Sequence, residues 1–170
     1  FASCKKFVEI GTPFIQLTEG SVYTNDITAI ASITGIYANL GAGEIAGNSG
    51  LSIKGGLAAD EFFLYAGVTD DELRAHFENN LLSTSAQSLG GRLWFSFYHY
   101  IFRCNAAIEN LENSSTLTAE IKQQLLGESK FLRAFFYFYL VNYYGDVCLA
   151  LSTNPQVNGA LRRSSVSAVY

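Results

Sequence analysis

Phe131-Leu132-Arg133-Ala134-Phe135-Phe136-Tyr137-Phe138-Tyr139-Leu140 is the stretch whose reading decides the fold. Six of its ten residues are aromatic, none is glycine or proline, and the rings go most of the way round a helical wheel. A helix apolar on every side is a helix buried on every side. The same period continues outward through Ile121, Leu125, Leu132, Phe135, Phe136, Tyr139 and Tyr143. Thr118 stands where an N-cap is needed, Glu120 suits the first turn, and Gly145 closes the segment. The spacing predicts one helix from Thr118 to Tyr144.

A second helix is predicted just upstream, over Gln87–Asn113. Its stripe runs through Leu93, Trp94, Phe97, Tyr98, Ile101, Asn105 or Ala106, Ile108 and Leu111. Each helix is about 25 residues, or roughly 38 Å long. The short link from Ser114 to Leu117 forces them to pack antiparallel as a hairpin. The surplus apolar surface of the second asks for neighbours on both faces, which stacked helix pairs supply.

Further out the signals weaken. Asn25 or Thr24 can cap a helix with Ile27, Ile30, Ile33, Thr34, Tyr37 and Leu40 at spacings of three and four, ended by Gly41. Glycines crowd residues 35–67, so residues 41–69 are expected to be loop-rich. A poor helix is expected over Glu44–Gly55, weakened by Gly47 and Gly50. Leu57–Tyr65 is too short to arbitrate between strand and helix. Asp70, Asp71 and Glu72 crowd one helix start, with Leu73, Phe77 and Leu81 on its inner face. The only prolines, Pro13 and Pro155, lie outside this middle. The chain reads as all-α.

Composition narrows function. Of 170 residues, 49% are hydrophobic, 14% aromatic and 15% charged, the opposite of a disordered chain. Eleven basic against fifteen acidic residues give a net charge of −4, which argues against nucleic acid as a partner. No apolar run reaches the length of a membrane-spanning helix. The sequence has no methionine, and Ser164–Tyr170 reads as the opening of a further helix. A portion of a longer chain is therefore expected, with residues 1–24 an extended lead-in and 25–170 a helical domain cut short at its C-terminal end.

Several motifs together resemble the SusD/RagB family of nutrient-binding outer-membrane lipoproteins. Gly127-Glu128-Ser129-Lys130-Phe131-Leu132-Arg133-Ala134, leading to Tyr144-Gly145-Asp146-Val147, is similar to that family's Glu-Ala-x-Phe-Leu-Arg-Ala helix and its Tyr-Gly-Asp-Val ending. Cys4 followed by Phe7-Val8-Glu9, the Gly35-Ile36-Tyr37 helix core and Ala59-Asp60 match in order. So do Trp94 with Tyr100, Ile101 and Asn105, and Arg162 or Arg163 with Ser164 and Tyr170. Ser129 and Cys148 depart from the family's usual Ala and Pro. The resemblance implies tetratricopeptide-like helix pairs and a lipid anchor in the outer membrane, facing the cell surface. It also implies partnership with a TonB-dependent β-barrel transporter to capture oligosaccharides or other nutrients.

Phe1-Ala2-Ser3-Cys4 is similar to the end of a lipobox, which makes Cys4 the expected lipidation site and the first 24 residues its tether. Cys104 and Cys148 are expected as free buried thiols, since nothing in the spacing brings their Cα atoms within reach of a bridge. The histidines, His76 and His99, belong to no HExxH or CxxC pattern, so neither a metal nor a cofactor is expected. Gly41-Ala42-Gly43-Glu44-Ile45-Ala46-Gly47 has one residue too many for a dinucleotide loop and follows a helix, not a strand. The carboxylates Asp60, Glu61, Asp70, Asp71 and Glu72 could in principle furnish a glycosidase pair, though sequence proximity sets no such spacing. Arg133 is expected to make a buried ion pair or to bond carbonyls.

Most aromatics fall at core-facing helical positions. Tyr65 escapes that pattern, and the resemblance places it, with Phe63, in a segment that supplies ligand aromatics. Both are the candidate ligand-binding residues. A nutrient-binding lipoprotein without catalytic activity is the expected function. The alternative is a helical-repeat interaction scaffold or a peptide-binding uptake component.

Overall fold

The computed structural model describes residues 19–42, 45–47, 50–81 and 91–170. In chain order the elements are α1 (Glu19–Val22), α2 (Asp26–Ala42), α3 (Leu51–Ala58), α4 (Asp71–Phe77), α5 (Gly91–Asn113), α6 (Ala119–Tyr144), β1 (Val147–Cys148), α7 (Pro155–Gly159), β2 (Arg163–Ser164) and α8 (Val166–Val169). The fold is all-α apart from one antiparallel strand pair, Val147 opposite Ser164 and Cys148 opposite Arg163. Cys4 and Gln87 fall outside the described residues, and α1 forms a helical turn within the expected lead-in.

The α5–α6 hairpin is the centre of the molecule. Trp94 meets Tyr144, Tyr100 stacks on Phe136, and Asn105 accepts a hydrogen bond from Arg133. Partners thus retreat along α6 as positions advance along α5, which is the antiparallel register the short link dictates. Leu93, Phe97, Ile101, Cys104 and Leu111 of α5 are buried with Leu125, Leu132, Phe136 and Leu140 of α6. Trp94 is only half-buried. It lies against Tyr98 and Tyr144, with the Arg163 guanidinium 5.4 Å above its ring.

Other expectations need correction. α2 turns Ala29, Ile33 and Ile36 inward and leaves Ile27, Ile30 and Tyr37 exposed. The helix carries no charge after Asp26, so two apolar stripes of equal period compete, and the one with small Ala29 allows closer approach. The segment 41–69 is loop-rich with one short helix in it, as expected, but that helix is displaced. A turn at residues 45–47 replaces the expected start at Glu44, and α3 begins only at Leu51. Gly50 permits this, because a Cβ there would stand 2.5 Å from the Ile45 carbonyl oxygen. On α4 the inner face is Glu72, Ala75 and His76 instead of Leu73 and Phe77, and Leu81 is exposed.

Thr118 sits at the N-cap of α6 without capping it. Its hydroxyl bonds to Asp26, whose other oxygen accepts the Thr118 amide at 3.0 Å. Asn25 caps α2 through the Ile27 amide at 2.8 Å. Ser114 and Thr116 likewise donate to the carbonyls of Tyr23 and Thr24, so the start of α2 is sewn to the hairpin link. Gly145 ends α6 with φ of 70°, a left-handed conformation that favours glycine and sends the chain into β1. Both described cysteines are free, Cys104 buried and Cys148 half-buried.

Candidate functional site

The helices α3 and α4 are short, and the loop between them, residues 59–70, carries three aromatic rings. Asp60 turns the chain with φ of 58°, after which the amides of Glu61 and Phe62 both donate to the Gly56 carbonyl, at 2.8 and 3.0 Å. The Phe62 ring lies directly on Gly56, where a Cβ would come within 2.4 Å of it. Phe62, itself 45% exposed, thereby anchors the loop on α3. Phe63, next in sequence, is 89% exposed, its ring edge-on to Phe77 of α4 at 5.5 Å. Tyr65 is 78% exposed, with its ring over Gly67, where a Cβ would meet it at 2.6 Å.

The loop is also tied by its polar atoms. The Val68 amide donates to the Tyr65 carbonyl at 3.0 Å, and the Arg74 guanidinium to the Val68 carbonyl at 3.1 Å. Asn79 reaches back across the stem to the Ala58 carbonyl at 3.1 Å. Exposed rings normally fold onto the nearest apolar surface, because leaving them in water forfeits their transfer free energy. Phe63 and Tyr65 are instead kept outward, with exposed Asp60 and Glu61 beside them in sequence. A ring face with polar groups nearby suits a ligand that has one C–H face and hydroxyls at its edge.

The two expected ligand residues thus share one loop, and Cys4 lies outside the described residues. Two of the carboxylates weighed as a hydrolytic pair, Asp70 and Glu72, have other tasks. Asp70 caps α4 by accepting the amides of Glu72 and Leu73, at 2.9 and 3.1 Å. Glu72 is buried and pairs with Lys54 at 2.8 Å and Arg92 at 3.5 Å. Its charge also contributes to raising the phenols of Tyr143 and Tyr144, though burial is the larger cause for both and pushes Tyr144 up to about 12. Among the described residues no group of three or more His, Cys, Asp or Glu could hold a metal. None of the described helices is long and apolar enough to cross a membrane.

Sequence reasoning missed two contacts that shape the loop, Phe62 on Gly56 and Phe77 against Phe63. A signal existed in Gly56, six residues before Phe62, but only contact geometry gives it meaning. A second concavity of about 350 Å³ lies between α5 and residues 148–161, lined by Trp94, Tyr98, Phe102, Asn105, Asn158 and Leu161. Most of its polar groups are engaged: Tyr98 donates to the Cys148 carbonyl at 2.8 Å, Asn105 to the Ala150 carbonyl at 2.9 Å and the Asn158 amide to the Ser152 carbonyl at 2.7 Å, while Asn158 Oδ1 is buried without a hydrogen-bond partner. The loop is the better candidate.

Residues 30–170, from α2 through α8 and including the aromatic loop, match the family model described as starch-binding associating with outer membrane. The chain belongs to the SusD-like family. A curated relative, SusD-like protein P25 of Formosa agariphila, is 24% identical over 147 residues, which is 85% of this chain. The chain spans 28% of that relative's length. No solved structure matches the chain.

Proposed function

We propose that this SusD-like chain belongs to a cell-surface lipoprotein that binds oligosaccharide with the rings of Phe63 and Tyr65 and passes it to a TonB-dependent β-barrel transporter. The observation that carries the reading is the outward, pinned placement of these two rings on one loop. A platform already in its binding arrangement loses little ordering entropy when a sugar lands on it. Family membership and the starch-binding description of the family model support glycan as the ligand class.

In this reading Cys4 carries the lipid that holds the protein at the outer membrane, residues 1–24 form the tether, and 25–170 form the N-terminal helical domain of a longer protein. The exposed rings of Phe131, Phe138 and Tyr170 are then a surface for the remainder of that protein or the transporter. The role is binding without turnover.

A glycan array probed with the full-length protein tests the central claim. Binding to specific glycans without hydrolysis is expected, and it should be lost in the Phe63→Ala/Tyr65→Ala double variant with unchanged thermal stability. Equal binding by the double variant would refute the assignment. For the anchor, a Cys4→Ser variant is expected to leave the membrane fraction and take up no labelled palmitate. Mild-detergent pull-down should recover a large β-barrel, and recovery of the lipoprotein alone would count against the partnership.

A further inference from the structure

Lys54 is 1% exposed, an uncommon place for an ammonium group, and its partner Glu72 is 6% exposed. Desolvating such a pair costs several kcal/mol per ion before attraction restores any of it, so an apolar pair would pack these helices at least as well. What the ions add is direction. One Glu72 oxygen takes Lys54 of α3 and the other faces Arg92 of α5, so the carboxylate bridges two elements and leaves α4 one rotational setting. One turn later His76, fully buried, donates from Nδ1 to the Glu72 carbonyl at 2.8 Å. Phe77 follows at once, and it is the ring that Phe63 meets. A shift of α4 by one residue would swing Phe77 by about 100° and leave Phe63 without its edge contact.

We propose that Lys54, Glu72 and Arg92 are positioning residues for the aromatic loop: their ion cluster fixes α4 against α3 and α5, and thereby holds Phe63 and Tyr65 in the arrangement that meets ligand. Two of the three helices it joins, α3 and α4, have 8 and 7 residues, too few to hold their own shape without tertiary contacts. The link to ligand affinity rests on the proposed function, whereas the link to loop order does not.

The test uses the full-length protein and two readouts. Hydrogen exchange is followed at the amides of Glu61, Phe62 and Val68, and affinity for maltoheptaose is measured by calorimetry. Glu72→Gln is expected to speed exchange at these amides on the order of a hundredfold, with α5 and α6 unchanged, and to weaken maltoheptaose binding. Arg92→Gln alters a side chain that is 47% exposed, so it should fold normally and give a smaller rise at the same amides. This variant carries the test if Glu72→Gln fails to fold. No change at those amides, or a rise spread equally over α5 and α6, would overturn the proposal. So would a loosened loop with unchanged maltoheptaose affinity. Failure of the wild type to bind maltoheptaose, with the loop-confined rise still present in the variants, would sink a starch-type glucan as the ligand and support the positioning role.

Discussion

The hydroxyl of Tyr137 and the backbone of Ala150 hold each other in both directions: the Ala150 amide donates to the hydroxyl at 2.7 Å, and the hydroxyl donates to the Ala150 carbonyl at 2.9 Å. Asn105 gives a further bond to the same carbonyl, and Tyr98 one to that of Cys148. Side chains from both helices of the hairpin thus satisfy a backbone segment whose own strand is only two residues long.

Tyr137→Phe should therefore destabilise out of proportion to the single atom removed. It removes a part-buried hydroxyl that accepts from the Ala150 amide and donates to the Ala150 carbonyl, leaving the amide only its 3.1 Å bond to the Cys148 carbonyl, at a cost of about 1–3 kcal/mol. Urea unfolding should show a lower midpoint with an unchanged slope. An unchanged midpoint would mean that water replaces the hydroxyl without loss.

Leu132 is 2% exposed and lies in the hairpin's core. Leu132→Ala is expected to cost about 2–5 kcal/mol, from lost transfer free energy plus the cavity left behind. Calorimetric or denaturant unfolding checks this. A loss below 1 kcal/mol, roughly the scale of an exposed site, would contradict the packing.

Gly56→Ala puts a methyl group where the Phe62 ring now lies. The ring must leave Gly56, and overpacking of this kind costs about 1–3 kcal/mol. Glycan affinity should fall together with melting temperature, even though residue 56 itself is buried. Retained affinity with lowered stability would separate the anchor from the platform.

Alkaline pH should destabilise the protein, because its buried phenols and buried thiol ionise more readily once unfolded. Burial pushes the phenols of Tyr98 and Tyr144 and the thiol of Cys104 up to about 12, and raises Tyr137 as well. These groups are neutral when protonated, and in the unfolded chain they lose protons near 10 for tyrosine and 9 for cysteine. Above those values the unfolded state binds fewer protons than the native one, so stability falls as pH rises. Melting temperature should hold to about pH 9 and decline progressively toward pH 12, with phenolate absorbance appearing as the fold is lost. A flat melting temperature through pH 11 would refute the burial of these groups.

The hairpin was legible because its cues agreed. The aromatic run from Phe131 to Leu140, the position of Thr118 and the stop at Gly145 all pointed one way, and Tyr100 does stack on Phe136. α4 was read with its wrong face inward because hydropathy ranks Leu73 and Phe77 above Glu72 and His76. The ion pair that reverses this ranking needs Lys54, eighteen positions earlier, and periodicity within α4 carries no trace of it. α2 failed for a different reason: without charges it offered two equivalent stripes, and only the neighbour chooses between them. Tyr65 was picked out by its escape from helical spacing and Phe63 by the family resemblance of their shared segment, but the contacts that set them, with Gly67 and Phe77, exist only in three dimensions.

The stitches that join Tyr23, Thr24 and Asp26 to Ser114, Thr116 and Thr118 span about ninety residues. A chain that emerges N-terminus first therefore makes α2 long before anything exists to close against it. Its inner residues Ala29, Ile33 and Ile36 find their main partner, α6, only after both long helices have been completed. The contacts of α2 with the short α1 and Tyr23 before it are few, and the long-range ones must wait for loop closure. Until the last long helix arrives, α2 has no surface on which to bury its inner face, and that arrival locks the start of α2 in place.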